Sequence, residues 1–254
     1  MHEAAVHSAS CFTTLTYRDA DLPVDGGLDK EEVQRFWKRL RKQVEPQKIR
    51  YYACGEYGES TFRPHYHVII FGLEQCSCSK ERWKRATLNP GVPCGCRDRD
   101  LVLKNWGHGG VDRLGTVTYD SARYCADYIG KAVTGMKAVG FYGLRQAPFQ
   151  VMSTGLGRKY VDENREQLLE TLGVTVHGVP MGLPRYYAHR LEVNWNEIVN
   201  DMTRIKQGEK VAASKKRRQW TGAILPGQII ITDSREQRNK DTQARVNISK
   251  KGVL

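Results

Sequence analysis

The sequence lacks any apolar run of about 18 residues, the length that a membrane-spanning helix needs. Its first residues also lack the charged and then apolar segments of a secretory signal. We therefore expect a protein of the cytoplasm with no membrane partner. No internal repeat is visible. The seven cysteines are an odd number, which disfavours a complete disulfide framework and favours reduced thiols.

Negative charge is also scarce, because 28 acidic residues stand against 40 lysines and arginines, for a net charge of +12 and a pI near 9.4. Such a surface attracts anions, and nucleic acid is the usual partner. The 254 residues suit one domain and an appendage. We predict a domain over residues 1–188, with a cysteine-rich insertion at about 74–100. Residues 189–254 should form a basic C-terminal region, partly helical and loosely ordered.

Strand and helix signals interleave along the predicted domain. The strand signals fall at residues 11–17, 49–55, 63–72, 110–118 and 149–157. Helix signals run from Asp29 to a stop at Pro46, from Asp120 or Ser121 to about Val133, and near residues 162–172. The short link between the second and third strands predicts an antiparallel hairpin. The pattern predicts an α+β fold, a central antiparallel sheet with helices packed on it.

The most informative chemical signal is His65-Tyr66-His67 in the third predicted strand. Residues two apart in a strand point to the same face, so the two imidazoles stand side by side and Tyr66 points away. Glu56 follows the second strand, and the hairpin brings it near them. Two imidazoles and one carboxylate suit a hard divalent cation with open coordination positions. The same set describes a ferrous facial triad, and Glu56 could also be an ordinary surface acid.

A predicted helix carries Tyr124, Tyr128 and Lys131, which share one face at this spacing. Tyrosine stripes are common in cores, but other residues of this helix supply a separate apolar face. A phenol is a competent nucleophile when a cation helps displace the leaving group. A nearby ammonium would stabilise phosphate charge. Core packing and nucleophilic catalysis are the two interpretations.

The insertion contains two closely spaced cysteine pairs, Cys76 with Cys78 and Cys94 with Cys96. Four thiolates suit tetrahedral zinc, although two-residue spacers are commoner than these single ones. A structural Zn²⁺ would staple the intervening basic segment into a loop. The alternative is four reduced thiols on a mobile loop.

Three motifs in this order resemble the HUH endonuclease superfamily of rolling-circle replication initiators. They are the strand at residues 12–17, the His65–His67 strand and the helix segment 124–131. The chain is similar in particular to the initiators of the gokushovirus branch of the microviruses (Microviridae). Further similar stretches at 38–41, 53–58, 63–67 and 184–187 extend the resemblance over about residues 10–188.

The resemblance implies a ferredoxin- or RRM-like core and a metal-dependent nickase that initiates rolling-circle replication through a 5′-phosphotyrosine. His65, His67 and Glu56 would then hold Mg²⁺ or Mn²⁺. Tyr128 would be a nucleophile, Tyr124 the second tyrosine and Lys131 a cation beside the phosphate. The implied partners are single-stranded origin DNA and possible host helicase and polymerase. The cysteine insertion is not inherited from the family.

Two other classes compete with a nickase. A non-catalytic basic DNA-binding protein would explain the charge but would leave the histidine strand and the tyrosines unused. A non-haem Fe(II) oxygenase would explain the two histidines and the carboxylate but would leave the basic surface unused.

Overall fold

The computed structural model describes residues 1–88, 92–131, 133, 135–176 and 179–196. The chain divides into two compact units, Met1–Asn194 and Trp195–Leu254. All but the first two residues of the second unit lie outside the described residues, and so does most of the predicted C-terminal region. Within the described residues, no helix has the length and apolar character required to span a membrane.

A five-stranded sheet, antiparallel at every pairing, forms the centre of the first unit. Its spatial order is β4-β1-β3-β2-β5. The strands are β1 (Ser10–Thr16), β2 (Arg50–Tyr57), β3 (Pro64–Phe71), β4 (Gly115–Thr116) and β5 (Phe149–Met152). A separate hairpin pairs β6 (Gly173–Val176) with β7 (Val179–Gly182). The predicted α+β class and the predicted hairpin of β2 with β3 are confirmed.

Helices accompany the sheet along the whole first unit. They are α1 (His2–Ala5), α2 (Lys30–Val44), α3 (Lys80–Leu88), α4 (Arg97–Trp106), α5 (Tyr119–Lys131), α6 (Met136–Tyr142), α7 (Arg158–Glu163), α8 (Arg165–Thr171) and α9 (Arg185–Leu191). The α2 helix begins where the sequence indicates, because the Asp29 carboxylate accepts a hydrogen bond from the backbone N–H of Glu32 at 2.8 Å.

The two faces of the sheet have different coverings. On one face the apolar stripe of α2, with Phe36 and Leu40, packs with Trp106 of α4 against Tyr66 and Val68 of β3. On the other face Ile69 of β3 packs with residues of β2 and α5. Successive β3 residues therefore face opposite layers. His65 and His67 share the α5 face.

One strand is much shorter than its sequence signal. The segment 110–118 contributes only the two residues of β4 and an isolated bridge from Val111 to Leu15. The physical reason is a competing donor, since the buried Arg99 guanidinium binds the Val111 carbonyl at 2.6 and 3.2 Å. That carbonyl is then occupied by a side chain rather than by a ladder partner.

Helix α5 starts earlier than predicted. Thr118, rather than Asp120 or Ser121, caps it, because its hydroxyl accepts from the Ser121 N–H at 3.1 Å while the Ser121 hydroxyl accepts from the Thr118 N–H at 2.9 Å. The helix predicted near residues 162–172 is divided into α7 and α8 at Asn164.

Candidate metal centre

The hairpin of β2 and β3 brings three possible ligands together. Its register places Glu56 directly opposite His65, and His67 lies one pleat further on the same face. The strand is held in place from its other face. There Tyr66 is fully buried, exchanges a hydrogen bond with the Tyr17 hydroxyl at 2.9 Å and accepts the Asp29 N–H at 2.8 Å.

The two imidazoles converge on a single carboxylate oxygen. The Nε2 atoms of His65 and His67 lie 2.8 and 2.7 Å from Glu56 Oε1. One donor atom from each residue lies within 4.8 Å of the others. Glu56 and His67 are only 5% and 6% exposed, so the carboxylate is largely withdrawn from water and its charge interacts strongly with the imidazoles.

The electrostatics of the site favour a carboxylate beside positive charge. Burial by itself raises the pKa of the Glu56 carboxyl, but the hydrogen bonds from His65 and His67 outweigh it and bring that pKa below its ordinary value. Burial lowers the pKa of the His65 imidazole, yet Glu56 and the Arg63 carbonyl raise it further, and the net direction is upward. A divalent cation could take the place of the protons between these groups.

Outer contacts set the orientation of each imidazole. His65 Nδ1 donates to the Arg63 carbonyl at 3.1 Å, so a neutral His65 keeps its Nε2 lone pair available for a cation beside Glu56. His67 Nδ1 lies 3.1 Å from the Thr14 hydroxyl of β1, directly across the β1–β3 pairing. Second contacts of this kind orient metal-ligating histidines.

These supporting residues were missed from the sequence. The Thr14 hydroxyl also bonds the Asp112 carboxyl, whose pKa is raised by burial and lowered by His67 and Arg99, with an upward net direction. No local pattern marks Thr14, because its proximity to His67 depends on the strand register. The position of Asp112 depends on the irregular segment beside β1.

The helix that carries the predicted nucleophiles lies over the site. The Tyr124 ring contacts the His67 ring edge-to-face, with centroids 4.9 Å apart, and Tyr124 is 44% exposed. The next residue, Cys125, is fully buried with Cys54 of β2 and fastens α5 to the sheet. The α5 backbone includes Tyr128 and Lys131, but their side chains lie outside the described residues.

The four cysteines of the insertion form a second group of possible ligands. One sulfur from each lies within 4.8 Å of the other three, and Cys76 and Cys94 are buried. Burial raises the pKa of the Cys96 thiol, but hydrogen bonds from Cys94, Cys78 and the backbone of residues 77 and 78 bring that pKa to about 7. Burial and the other thiols raise the pKa of Cys78 to about 11. Both pairs predicted from the sequence therefore come together in the fold.

The two groups have different donor chemistry. The Glu56 group offers nitrogen and oxygen from three residues, which fits a divalent cation with positions left for a substrate. The cysteine group offers four sulfurs, which fits a closed tetrahedral site.

With this geometry in place, comparison with known proteins identifies the class. Residues 10–133 match the model of the replication-associated protein ORF2 family, and this part of the chain belongs to that family. The match covers β1, the β2–β3 hairpin and α5, which carry the metal centre. The resemblance to phage replication proteins is confirmed.

Three relatives are phage proteins of the Microviridae. The chain is 31% identical to the replication-associated protein ORF2 of Spiroplasma virus 4, over 79% of this chain and 63% of the relative. It is 31% identical to the replication-associated protein ORF4 of Chlamydia phage 1, over 73% and 46%. It is 30% identical to the replication-associated protein VP4 of Bdellovibrio phage phiMH2K, over 73% and 59%.

The chain thus spans about half to three-fifths of the length of these relatives. No solved structure matches it.

Proposed function

We propose that this protein takes part in phage DNA replication as a metal-dependent endonuclease that nicks one DNA strand at an origin. The observation that carries the proposal is the convergence of Glu56, His65 and His67 beneath Tyr124. The names of the relatives support a role in replication. The net charge of +12 supports a nucleic acid substrate.

The proposed reaction uses a phenol as nucleophile. A bound Mg²⁺ or Mn²⁺ would polarise the scissile phosphate and offset its charge. The tyrosine oxygen forms a bond to phosphorus and gives up its proton to water. The bond from phosphorus to the 3′ oxygen breaks, and that oxygen takes up a proton to leave as a 3′ hydroxyl. The 5′ phosphate stays on the tyrosine as a phosphodiester, and the new 3′ end serves as primer.

Each described residue has a definite part in this scheme. Glu56, His65 and His67 hold the cation, and Thr14 and the Arg63 carbonyl keep the imidazoles oriented. We assign the phenol chemistry to Tyr128 and Tyr124, four residues apart on α5, and the phosphate-side cation to Lys131. Cys125, buried against the sheet, anchors the helix so that little motion is needed to align a phenol.

Two nucleophiles answer a requirement of rolling-circle termination. The regenerated origin has to be cut while the first 5′ end is still attached to the enzyme, and one phenol cannot do both. Residues four apart on a helix lie on one face. Either tyrosine could therefore serve one phosphate site, which makes the enzyme a strand transferase as well as a nickase.

The cysteine cluster is proposed to hold a structural Zn²⁺. Four sulfurs satisfy tetrahedral zinc completely and leave no position for a substrate. Cys76 is buried, and its backbone N–H donates to the Leu114 carbonyl at 2.8 Å. The bound ion would then tie both ends of the segment that contains α3 to the main core.

The proposed partners follow from the reaction. Single-stranded origin DNA is the substrate, and host helicase and polymerase would extend the primer. An enzyme of this kind works where the phage genome is copied, so we place it in the host cytoplasm.

A covalent-adduct assay separates this function from its rivals. Labelled single-stranded origin DNA is incubated with the protein and Mn²⁺, with EDTA, or with Fe²⁺ and oxygen, and the products are run on a denaturing gel. The nickase forms a protein–DNA adduct with Mn²⁺ and none with EDTA. A DNA-binding protein forms no adduct in any arm, and an oxygenase consumes oxygen only in the iron arm. Absence of adduct at saturating Mn²⁺ contradicts the proposal.

A further inference from the structure

Two phenylalanines stand exposed at the end of the β2–β3 hairpin that carries the metal ligands. Phe62 is 50% exposed in the turn, and Phe141 of α6 is 51% exposed. Their ring centroids are 6.2 Å apart with an interplanar angle of 51°. Because the two rings come from different elements and keep contact in the presence of water, the pair is a candidate binding surface. We refer to Phe62 and Phe141 as the aromatic pair.

The backbone at Phe62 is unusual for a bulky residue. Its φ is 51°, in the left-handed region where a side chain is disfavoured and glycine or asparagine is the usual occupant. The turn enforces this conformation, since the Phe62 N–H donates to the Gly58 carbonyl at 2.8 Å and the Gly58 N–H to the Arg63 carbonyl at 3.0 Å. A phenylalanine in such a position, half in solvent, suggests that the ring itself is needed.

The other half of the pair rests on a fixed base. Phe141 contacts the ring of buried Tyr142 at 5.0 Å, and Tyr142 stacks on Tyr57 of β2 at 5.9 Å. The Arg145 guanidinium lies 5.5 Å above the Tyr57 ring. A platform supported in this way loses little freedom when a ligand arrives, and it carries positive charge beside it.

The aromatic pair lies next to the metal centre along the chain on two sides. Phe62 precedes His65 by three residues, a reach of at most about 11 Å. The Tyr142 hydroxyl accepts from the Val133 N–H at 3.1 Å, just past the end of α5. A DNA strand with its phosphate at the metal centre would therefore pass close to both rings.

We propose that the aromatic pair stacks an unpaired base of single-stranded DNA beside the scissile phosphate. The rings are tilted and leave no parallel slot, so the base stacks on an outer ring face. Flat aromatic faces bind any base without reading its sequence, and the positive net charge of the chain favours the attached phosphates. The choice of ligand rests on the proposed function, while the platform itself rests on the geometry above.

The test compares a strand that has bases with one that does not. Affinities for oligothymidylate and for an abasic oligonucleotide of equal length are measured in EDTA, so that binding is independent of cleavage. We expect Phe62→Leu and Phe141→Leu each to weaken oligothymidylate binding about tenfold. Abasic binding should stay within about twofold, since only the stacking contact is removed.

Conservative and neighbouring variants complete the design. Phe62→Tyr keeps a ring and should bind like the wild type, and Leu144→Ala, a fully exposed apolar neighbour, should change neither affinity. Equal losses on both oligonucleotides, or losses on neither, overturn the proposal. Unchanged DNA binding together with a changed melting temperature would mean that a protein segment covers the pair, which also overturns it. Failure of nicking with a base-dependent loss intact would refute the nickase alone.

Discussion

The two ligand clusters of this protein differ in how they are built. Glu56, His65 and His67 stand on adjacent strands at the centre of the sheet, with a tyrosine helix above them. The cysteine cluster joins the two ends of an insertion, and its sulfurs come from chain segments outside the sheet. Three donors beside a phenol leave room for a substrate, whereas four sulfurs close a site. The comparison suggests one catalytic and one structural centre.

The largest expected effect comes from removing both phenols above the first cluster. The double variant Tyr124→Phe with Tyr128→Phe should form no adduct but still bind DNA. Each single variant should keep some cleavage, with Tyr128→Phe hit harder because Lys131 lies one turn beyond it. Denaturing gels and peptide mapping of the linked residue measure this, with Tyr186→Phe of α9 as control. An adduct on the double variant would remove α5 as the nucleophile carrier.

The next effect concerns a ligand of the first cluster. His67→Ala should lower the nicking rate by more than about 100-fold, because a ligand counts for at least as much as its outer contacts. DNA binding should largely survive, since phosphate contacts dominate affinity. His189→Ala, exposed on α9, is the matched control. Normal nicking by the His67 variant would exclude the ligand role.

The second cluster should respond in a different observable. Cys78→Ser with Cys94→Ser should lose a zinc content of about one ion per chain. Residues 74–100 should then become sensitive to proteolysis, because the closed site holds the insertion. Elemental analysis and limited proteolysis measure both. Cys11→Ser, outside the cluster, should keep its zinc. Zinc-free wild-type protein with an unchanged proteolysis pattern would contradict the structural role.

The smallest effect tests the outer contact of the first cluster. Thr14→Val keeps the shape of the side chain but removes the hydroxyl beside His67. The Mn²⁺ concentration for half-maximal nicking should rise about tenfold, the lower end of the range for outer contacts. The rate at saturating Mn²⁺ should largely recover. Thr16→Val, on the same strand with its hydroxyl on the Gly110 carbonyl, should leave the Mn²⁺ requirement unchanged. If both variants behave alike, Thr14 has no special role.

Local patterns predicted the elements that carry the first cluster. The Asp29 cap, the β2–β3 hairpin and the shared face of His65 and His67 agree with the structure. Their causes lie within a few residues of each position, namely the pleat of a strand and the capping of a helix. The fourth strand was predicted too long because the Arg99 guanidinium that binds the Val111 carbonyl comes from an unpredicted helix.

The sequence by itself determined the donor set, since the two-residue period of a strand places both imidazoles on one face and Glu56 is only nine residues away from His65. It also determined the positive charge and the two cysteine pairs. Tertiary structure decided the rest. Contact of Thr14 with His67 depends on the β1–β3 register, and contact of Tyr124 with His67 on the packing of α5. The aromatic pair depends on the meeting of α6 and the hairpin turn. Such contacts arise from packing between distant segments, which no local periodicity encodes.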